Sequence, residues 1–407
     1  MSNFSLFSVL GIEIEYMLVD NETLNVRPIS DLLLKDIAGK IVNQAELGDI
    51  AVSNELVMHV LELKNNGPKP VNIQVAEHFQ KAIEDLQPIL KKHHLKLLPT
   101  GAHPWMDPHT ETKRWPYDNE EIYRQYNTIF NCQGHGWANL QSMHINMPFA
   151  NDEEFFHLHS LIRLILPLIP ALSASTPILD GKKTGFLDAR LSFYEQNQRI
   201  IPEISGDIIP EFVRSKREYE EKILQPMYRA IDPHDPNKIL QYEWLNSRGA
   251  IAKFDYNAIE IRIVDTQENV NSDIAIAHLI HHVLKSWHET SSFYLDKPCD
   301  TSALKEIYDR ALKEGLTTIV EDGHILEQWQ LPRRRMSIRD IWSQLLERVS
   351  PSLDKTSQLT IENIIRYGNL SERILRSCQN AITPSMLKNI YEQLAFCLIK
   401  NQQYLPS

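Results

Sequence analysis

Residues 11–20, GIEIEYMLVD, place two glutamates inside an otherwise apolar run, and no other short stretch of the chain restricts the fold as much. In a β-strand, side chains two apart share a face. Ile12, Ile14 and Tyr16 then point one way, and Glu13 and Glu15 the other. That second face is either solvent, where charged residues mostly sit, or the lining of a cavity, which would make the two glutamates a paired carboxylate site.

The pattern has echoes. AIEIRIVD puts Glu260 and Arg262 on one strand face with Ile259, Ile261 and Ile263 behind them, and SMHINMPF does the same with His144 and Asn146. In NELVMHVLELKNNGP, a helix would set Glu55 and Glu62 on one side with His59 between them, whereas a strand would set them on opposite sides. The β-branched content and the NNGP turn favour a strand for the second half, with Glu62 sharing a face with Met58 and Val60. If Glu13, Glu15, Glu62, His144 and Glu260 converge, they need cations, because clustered carboxylates cannot all stay ionised in a cavity without partners. Carboxylates with one imidazole form a hard, oxygen-rich set suited to Mg²⁺ or Mn²⁺. Such a set points to phosphate chemistry on a nucleotide, which also needs fixed positive charge. Arg190, after the DGKKTG loop, Arg248 in WLNSRGA and Arg262 are the candidates, and Arg262 stands out because it shares its strand face with Glu260.

The remainder of the 407 residues sets the frame. A net charge of -11 argues against a nucleic-acid partner. The four cysteines are widely spaced, which suggests neither a metal knuckle nor a disulfide framework and fits a reducing, cytoplasmic setting. The most apolar stretch, 161–175, carries Arg163, Pro167 and Pro170 and is too short to span a bilayer, so a buried helix ending near the prolines is expected and no membrane partner. Periodicity predicts helices over 71–94, 152–171 and 272–286, strands at LKLL, 143–147 and 257–266, and an almost wholly helical chain after residue 300. His278, His281 and His282 fall on a predicted helix and read as its surface and core. The fold class is α+β with a mostly antiparallel sheet, organised as a catalytic core over 1–300 and a helical region over 301–407 packed on the same domain. No Walker loop, G-x-G-x-x-G or G-x-S-x-G is present.

Taken together, GIEIEYMLVD, NELVMHVLELK, PTGAHPW, SMHINMPF, ALSASTPILDGKKTGFLDARLSFY, NAIEIRIVDT and GNLSERILR resemble the glutamate–cysteine ligase type 2 family of carboxylate–amine ligases, in family order over roughly residues 9–380. The resemblance implies a glutamine-synthetase-like catalytic domain, a curved antiparallel funnel flanked by helices that holds Mg²⁺ and ATP. ATP phosphorylates a substrate carboxylate, and an amine displaces phosphate from the acyl phosphate. It further implies Glu13, Glu15, Glu55, Glu62, His144 and Glu260 as metal ligands, and Arg190 and Arg262, with Arg248, as phosphate-facing groups. Small-molecule acids and amines are then the partners, and a homo-oligomer is compatible with this reading.

The segment 123–142, YRQYNTIFNCQGHGWANLQS, departs from the family form; rich in aromatic and polar residues, it either shapes the substrate pocket or is a packed connection. His103 reads first as a packed turn histidine and otherwise, with Asn146, as a substrate contact. Two alternatives stand beside the ligase: a guanidino-type phosphotransferase on the same fold, which would form ADP without free phosphate, and a non-catalytic nucleotide-binding regulatory protein.

Overall fold

The computed structural model describes residues 4–290, 293–378 and 382–405. Its centre is an eight-stranded antiparallel sheet. The strands are β1 (Gly11–Asp20), β2 (Gln44–Leu47), β3 (Ile50–Asn54), β4 (Val60–Asn65), β5 (Leu95–Leu98), β6 (Ser142–Pro148), β7 (Ala250–Lys253) and β8 (Ala258–Asp265). They run in the order β2-β3-β4-β1-β6-β8-β7, and β5 pairs with the end of β1.

Alternation decides the two faces. Ile12 lies opposite Ile145, Ile14 opposite Met143 and Leu63, Tyr16 opposite Leu61, and Ile261 opposite Ile145. These residues join Phe79, Leu158, Leu161, Ile276 and Leu279 from the Gln74–Lys92, Asp152–Ile165 and Val270–Thr290 helices in one continuous core. Each large apolar side chain buried this way contributes on the order of 1.5–3 kcal/mol, which fixes the register, since a one-residue slip would turn the whole set over. The Gln74–Lys92 helix buries Val75, Phe79, Ile83, Leu86 and Leu90 at helical spacing.

The apolar stretch after Asp152 does not run as a single helix to residue 171. Asn151 caps it by accepting from the Glu154 N–H, and it gives way at Leu166 to a short 3-10 turn and then a helix over Ile169–Ser173. Pro167 and Pro170 each sit in the first turn of the piece that follows, where a missing N–H costs nothing. From Leu158 to Ser173 the segment is buried inside the molecule. The lysines of the DGKKTG loop are exposed on a small hairpin of residues 178–183.

Beyond Glu15, the other face of β1 changes character. Met17 and Val19 share it, and both are fully buried in a second core with Leu370, Ile374, Tyr391 and Leu394. The Leu370–Ser377 and Pro384–Lys400 helices thus cover one end of the face that carries the glutamates. The Ile338–Val349 and Lys355–Tyr367 helices pack on the Val270–Thr290 helix. On that helix His278 lies 3.8 Å from Asp354, and the His281 Nε2–H donates to the Phe7 carbonyl. These contacts tie helices together, and among the described residues no metal-type cluster includes them.

A fully buried ion pair fastens the end of the chain. Arg373 Nη1 is 2.6 Å from Glu268 Oε1 and also donates to the Tyr404 carbonyl, while the Tyr404 N–H donates to the same Glu268 oxygen. Removing one partner strands the other charge in the interior, a loss of about 3–5 kcal/mol. Arg373→Ala is therefore expected to lower the urea midpoint by an amount equivalent to several kcal/mol. A change below about 1 kcal/mol would show that Glu268 is not held as a charge.

Candidate active site

Register brings the polar residues together. Glu13 of β1 lies directly opposite His144 of β6 on one side and Lys64 of β4 on the other; Glu15 lies opposite Glu62, and Glu260 of β8 opposite Asn146. Directly opposed side chains on one face stand about 4.5–5.5 Å apart at Cβ. Glu13, His144 and Glu260 each present a ligand atom within 4.8 Å of the others'. His144 Nδ1 is 3.3 Å from Glu13 Oε2 and 4.0 Å from Glu260 Oε1. Asn146 Nδ2 donates to Glu13 Oε1 at 3.0 Å. Ser142 orients two members at once: its N–H donates to Glu15 Oε2 at 2.7 Å, and its hydroxyl lies 2.9 Å from His144 Nε2.

Two lysines complete the floor, and sequence reading missed both. Lys64 Nζ is 2.7 Å from Glu62 Oε2, and Lys253 of β7 pairs with Glu260. Spacing could have found Lys64, which stands two residues after Glu62 and so on the same face. Lys253 faces inward only because β7 pairs with β8. Burial alone would push the Glu13 carboxyl up, but the hydrogen bond and charge of His144, with Lys253 and Lys64, hold it well below the usual carboxylate range. Burial and the Glu13 charge push Glu62 up against the pull of Lys64. Burial also lowers Lys253, reinforced by Arg262 and opposed by Glu13.

Glu55 reaches the site by a route neither sequence reading had. It follows β3, and the chain turns before β4, so Glu55 and Glu62 belong to two arms of one hairpin rather than to one helix or one strand. Met58, expected to share a strand face with Glu62, precedes β4 and lies in that connection. Glu55 lines the cavity rather than joining the Glu13–His144–Glu260 cluster, and burial together with the Glu15 and Glu62 charges raises its pKa well above the ordinary value.

The three arginines separate. Arg262 stands at an irregularity of β8, where the register with β6 shifts between Ile261 and Val264; its Nε is 3.0 Å from Glu260 Oε1 and it lines the cavity. Burial opposes its charge, and the nearby Tyr194 and Tyr126 hydroxyls with Glu15 and Glu13 favour it. Arg190 lines the cavity from the Ala189–Tyr194 helix, with its Nε on buried Asp265. Asp265 also accepts from the Ser175 N–H and the Thr176 hydroxyl. Gly101 lies so close that a Cβ there would meet the Asp265 carboxyl at 2.7 Å, so only glycine admits this packing. Arg248 is different. Its fork is bidentate on Glu211, at 2.6 Å for both contacts, and it also bonds the Glu203 carbonyl, so it does not join the cluster.

His103 also turns away from the site. Its Nε2–H donates to the Leu24 carbonyl at 2.8 Å, and its Nδ1 accepts from the Met106 and Trp105 N–H groups. Both ring nitrogens are committed to backbone groups, Nδ1 to its own turn and Nε2 to Leu24. Asn139 of the 123–142 segment holds the His103 backbone at both its N–H and its carbonyl, and His135 contacts Asp180, so these polar residues of the segment are packing. Its aromatic residues Tyr123, Tyr126 and Trp137, by contrast, line the cavity with Trp244. The cavity has a volume of about 540 Å³.

The donor set of the floor fits a hard divalent cation. Glu13, Glu260 and His144 offer converging oxygen and nitrogen atoms, Glu15 lies on the adjacent pair with Glu62, and sulfur is absent from the cluster.

Comparison with known proteins agrees in extent. The sequence profile of the glutamate–cysteine ligase family 2 matches residues 9–393. An uncharacterized protein of Archaeoglobus fulgidus is 32% identical over 400 residues, covering 98% of this chain and all of that one. A solved glutamate–cysteine ligase from Francisella tularensis, in complex with AMP, superposes with a TM-score of 0.60 at 13% identity, over 97% of this chain and 90% of its own. A bifunctional glutathione synthetase from Pasteurella multocida gives 0.54 at 11% identity, over 95% of this chain and 52% of its own.

His103 and His59 yield a stability prediction. The His59 Nε2–H donates to the Ala138 carbonyl, and burial lowers both histidines to about 4. The folded state keeps both neutral, so the unfolded chain takes up protons first as pH falls. Stability is full above about 6.5 and declines toward pH 4, by on the order of 3 kcal/mol per histidine. In His103→Gln, the slope of unfolding free energy against pH in that window should flatten by about one proton; an unchanged slope would contradict the neutral assignment.

Proposed function

The chain belongs to glutamate–cysteine ligase family 2, and from that premise we propose that it is an ATP-dependent ligase joining a carboxylic acid to an amine through an acyl phosphate. The observation that carries the reading is the convergence of Glu13, His144 and Glu260 on the sheet face that also presents Arg262 to the cavity. The nucleotide in the Francisella tularensis neighbour's complex supports a nucleotide here as well.

In this mechanism Glu13, His144 and Glu260, with Glu15, Glu62 and Glu55 around them, would hold Mg²⁺ or Mn²⁺. The cation supplies neutralisation of phosphate charge. The chain's own groups do the rest. Arg262, in an ion pair with Glu260, places guanidinium charge where the phosphoryl group moves, while Arg190, fixed by Asp265, stands at the cavity wall. A free carboxylate resists attack because its leaving group would be oxide; after its oxygen bonds the γ-phosphorus and ADP departs, the leaving group is phosphate. A neutral amine then forms the C–N bond as the C–O bond to phosphate breaks, and the amine's surplus proton passes to solvent. The aromatic walls exclude the water that would otherwise hydrolyse the activated acid.

Phosphate release from Mg-ATP should require both an acid and an amine drawn from pools of small metabolites, and should stop with EDTA. Glu13→Gln and Glu260→Gln should each lower it at least a hundredfold, as removal of a group that holds transition-state charge does. Mn²⁺ should raise the melting temperature of the wild type but not of Glu13→Gln, since a ligand that binds only the folded state stabilises it. ADP without free phosphate would favour the phosphotransferase alternative, and full activity in Glu260→Gln would remove the floor cluster from the mechanism.

A further inference from the structure

One wall of the cavity is oversized and under-satisfied. The Glu120–Phe130 helix is strongly amphipathic, with Ile122, Tyr123, Tyr126, Ile129 and Phe130 on one stripe, yet none of its residues is fully buried. A helix with such a stripe ordinarily buries it. Here the stripe is only partly buried against the core, and Ile122, Tyr123 and Tyr126 also line the cavity. Trp137 and Trp244 stand against Tyr126, with ring centroids at 5.3 and 5.9 Å. Tyr242 stacks on Trp244 from outside, at 5.6 Å and 11°, and holds that ring in place.

Beside these rings, five buried polar atoms on cavity-lining residues have no hydrogen-bond partner: Arg190 Nη2, Trp137 Nε1, Tyr194 Oη, Gln198 Oε1 and Arg262 Nε, the last in an ion pair with Glu260. Buried polar groups are nearly always paired, so a group of orphans around one cavity marks what the cavity is built to receive. Arg190 and Gln198 are both 2% exposed. Their orientations are set from behind: Arg190 Nε is committed to Asp265, and Gln198 Nε2 donates to Ser247 at 2.9 Å, which leaves Oε1 without a partner. Arginine, indole and phenol groups are donors matched to a carboxylate, and the glutamine oxygen is an acceptor matched to an amine.

We propose that this cavity seats an α-amino acid with an aryl side chain, its carboxylate on Arg190, Trp137 and Tyr194, its amine toward Gln198, and its ring against Trp244 and Tyr126. A small amino acid would satisfy the polar atoms but leave the aromatic wall wet. A volume of about 540 Å³ exceeds what a small amino acid fills and lies within the range of pockets for larger ligands. The inference rests on the ligase reading only in taking this amino acid as the amine partner; the seat itself is a binding site with or without the chemistry.

The test is calorimetric titration of the full chain, without nucleotide, with L-phenylalanine, L-cysteine and L-alanine. L-Phenylalanine should bind at least tenfold more tightly than the other two. Trp244→Ala should weaken phenylalanine threefold to tenfold, in line with the worth of an aromatic pair, and leave alanine unchanged. Trp244→Phe, which keeps a ring in the same half-buried position, should restore the preference. Tyr194→Phe, which removes only the hydroxyl, should weaken both phenylalanine and alanine about tenfold. Equal binding of the three amino acids, or no binding of phenylalanine, overturns the proposal. So does a Trp244→Ala variant that loses Mg-ATP affinity while keeping phenylalanine affinity, because the wall would then belong to the adenine. Phosphate release measured in parallel separates the two readings. Phenylalanine binding of this pattern with no release for any acid sinks the ligase and spares the seat. Release with a ring-free amine, and no phenylalanine binding, does the opposite.

Discussion

Carboxylates set side by side on a buried sheet face repel one another, and the arrangement of this molecule follows from having to hold them there. Glu13, Glu15, Glu62 and Glu260 lie on four neighbouring positions of three strands, with His144 among them. Left alone, such a set would protonate or open. Lys64, Lys253 and Arg262 are interleaved with the acids so that each faces a carboxylate. The balance is close enough that Glu13 stays ionised while Glu62 is pushed upward.

Rigidity on the arginine side comes from a different device. Asp265 ends β8, and it collects the Arg190 guanidinium, the Ser175 N–H and the Thr176 hydroxyl in one buried knot that Gly101 leaves room for. An arginine held by one nitrogen keeps the others for a ligand, and its side-chain entropy is already spent in the empty protein. The shift of register after Ile261 falls next to Arg262 on the same strand, so one strand supplies a metal-type carboxylate, a guanidinium and the anchor of a second guanidinium within six residues.

How much of this was readable from the sequence follows from the range of the interactions involved. Alternation is local, so β1, β6 and β8 and their inward residues stood out, as did the amphipathic Gln74–Lys92 helix. The parts that were not readable depend on partners far along the chain. Arg248 looks like any phosphate-binding arginine until Glu211 appears 37 residues earlier. His103 is explained only by the carbonyl of Leu24, 79 residues away. Glu55 and Glu62 could be placed on one helix or on two strand faces, and a hairpin turn between them was the third possibility. Lys253 carries no local sign of its role, since its direction comes from a neighbouring strand. The helix of 120–130 has a visible apolar stripe, but periodicity alone cannot say whether a stripe meets core or cavity.

The face of β1 that begins with Glu13 and Glu15 ends in Met17 and Val19, and what covers those two residues comes from Leu370 to Leu394. This strand is therefore sealed by helices made more than three hundred residues later in the chain. During synthesis, the central strand of the sheet waits with an oily patch uncovered until more than three hundred further residues have emerged, and Tyr404, which bonds both members of the Arg373–Glu268 pair, comes later still. Until the Pro384–Lys400 helix docks, the nascent chain exposes that patch, the kind of surface that makes incompletely folded chains prone to aggregate.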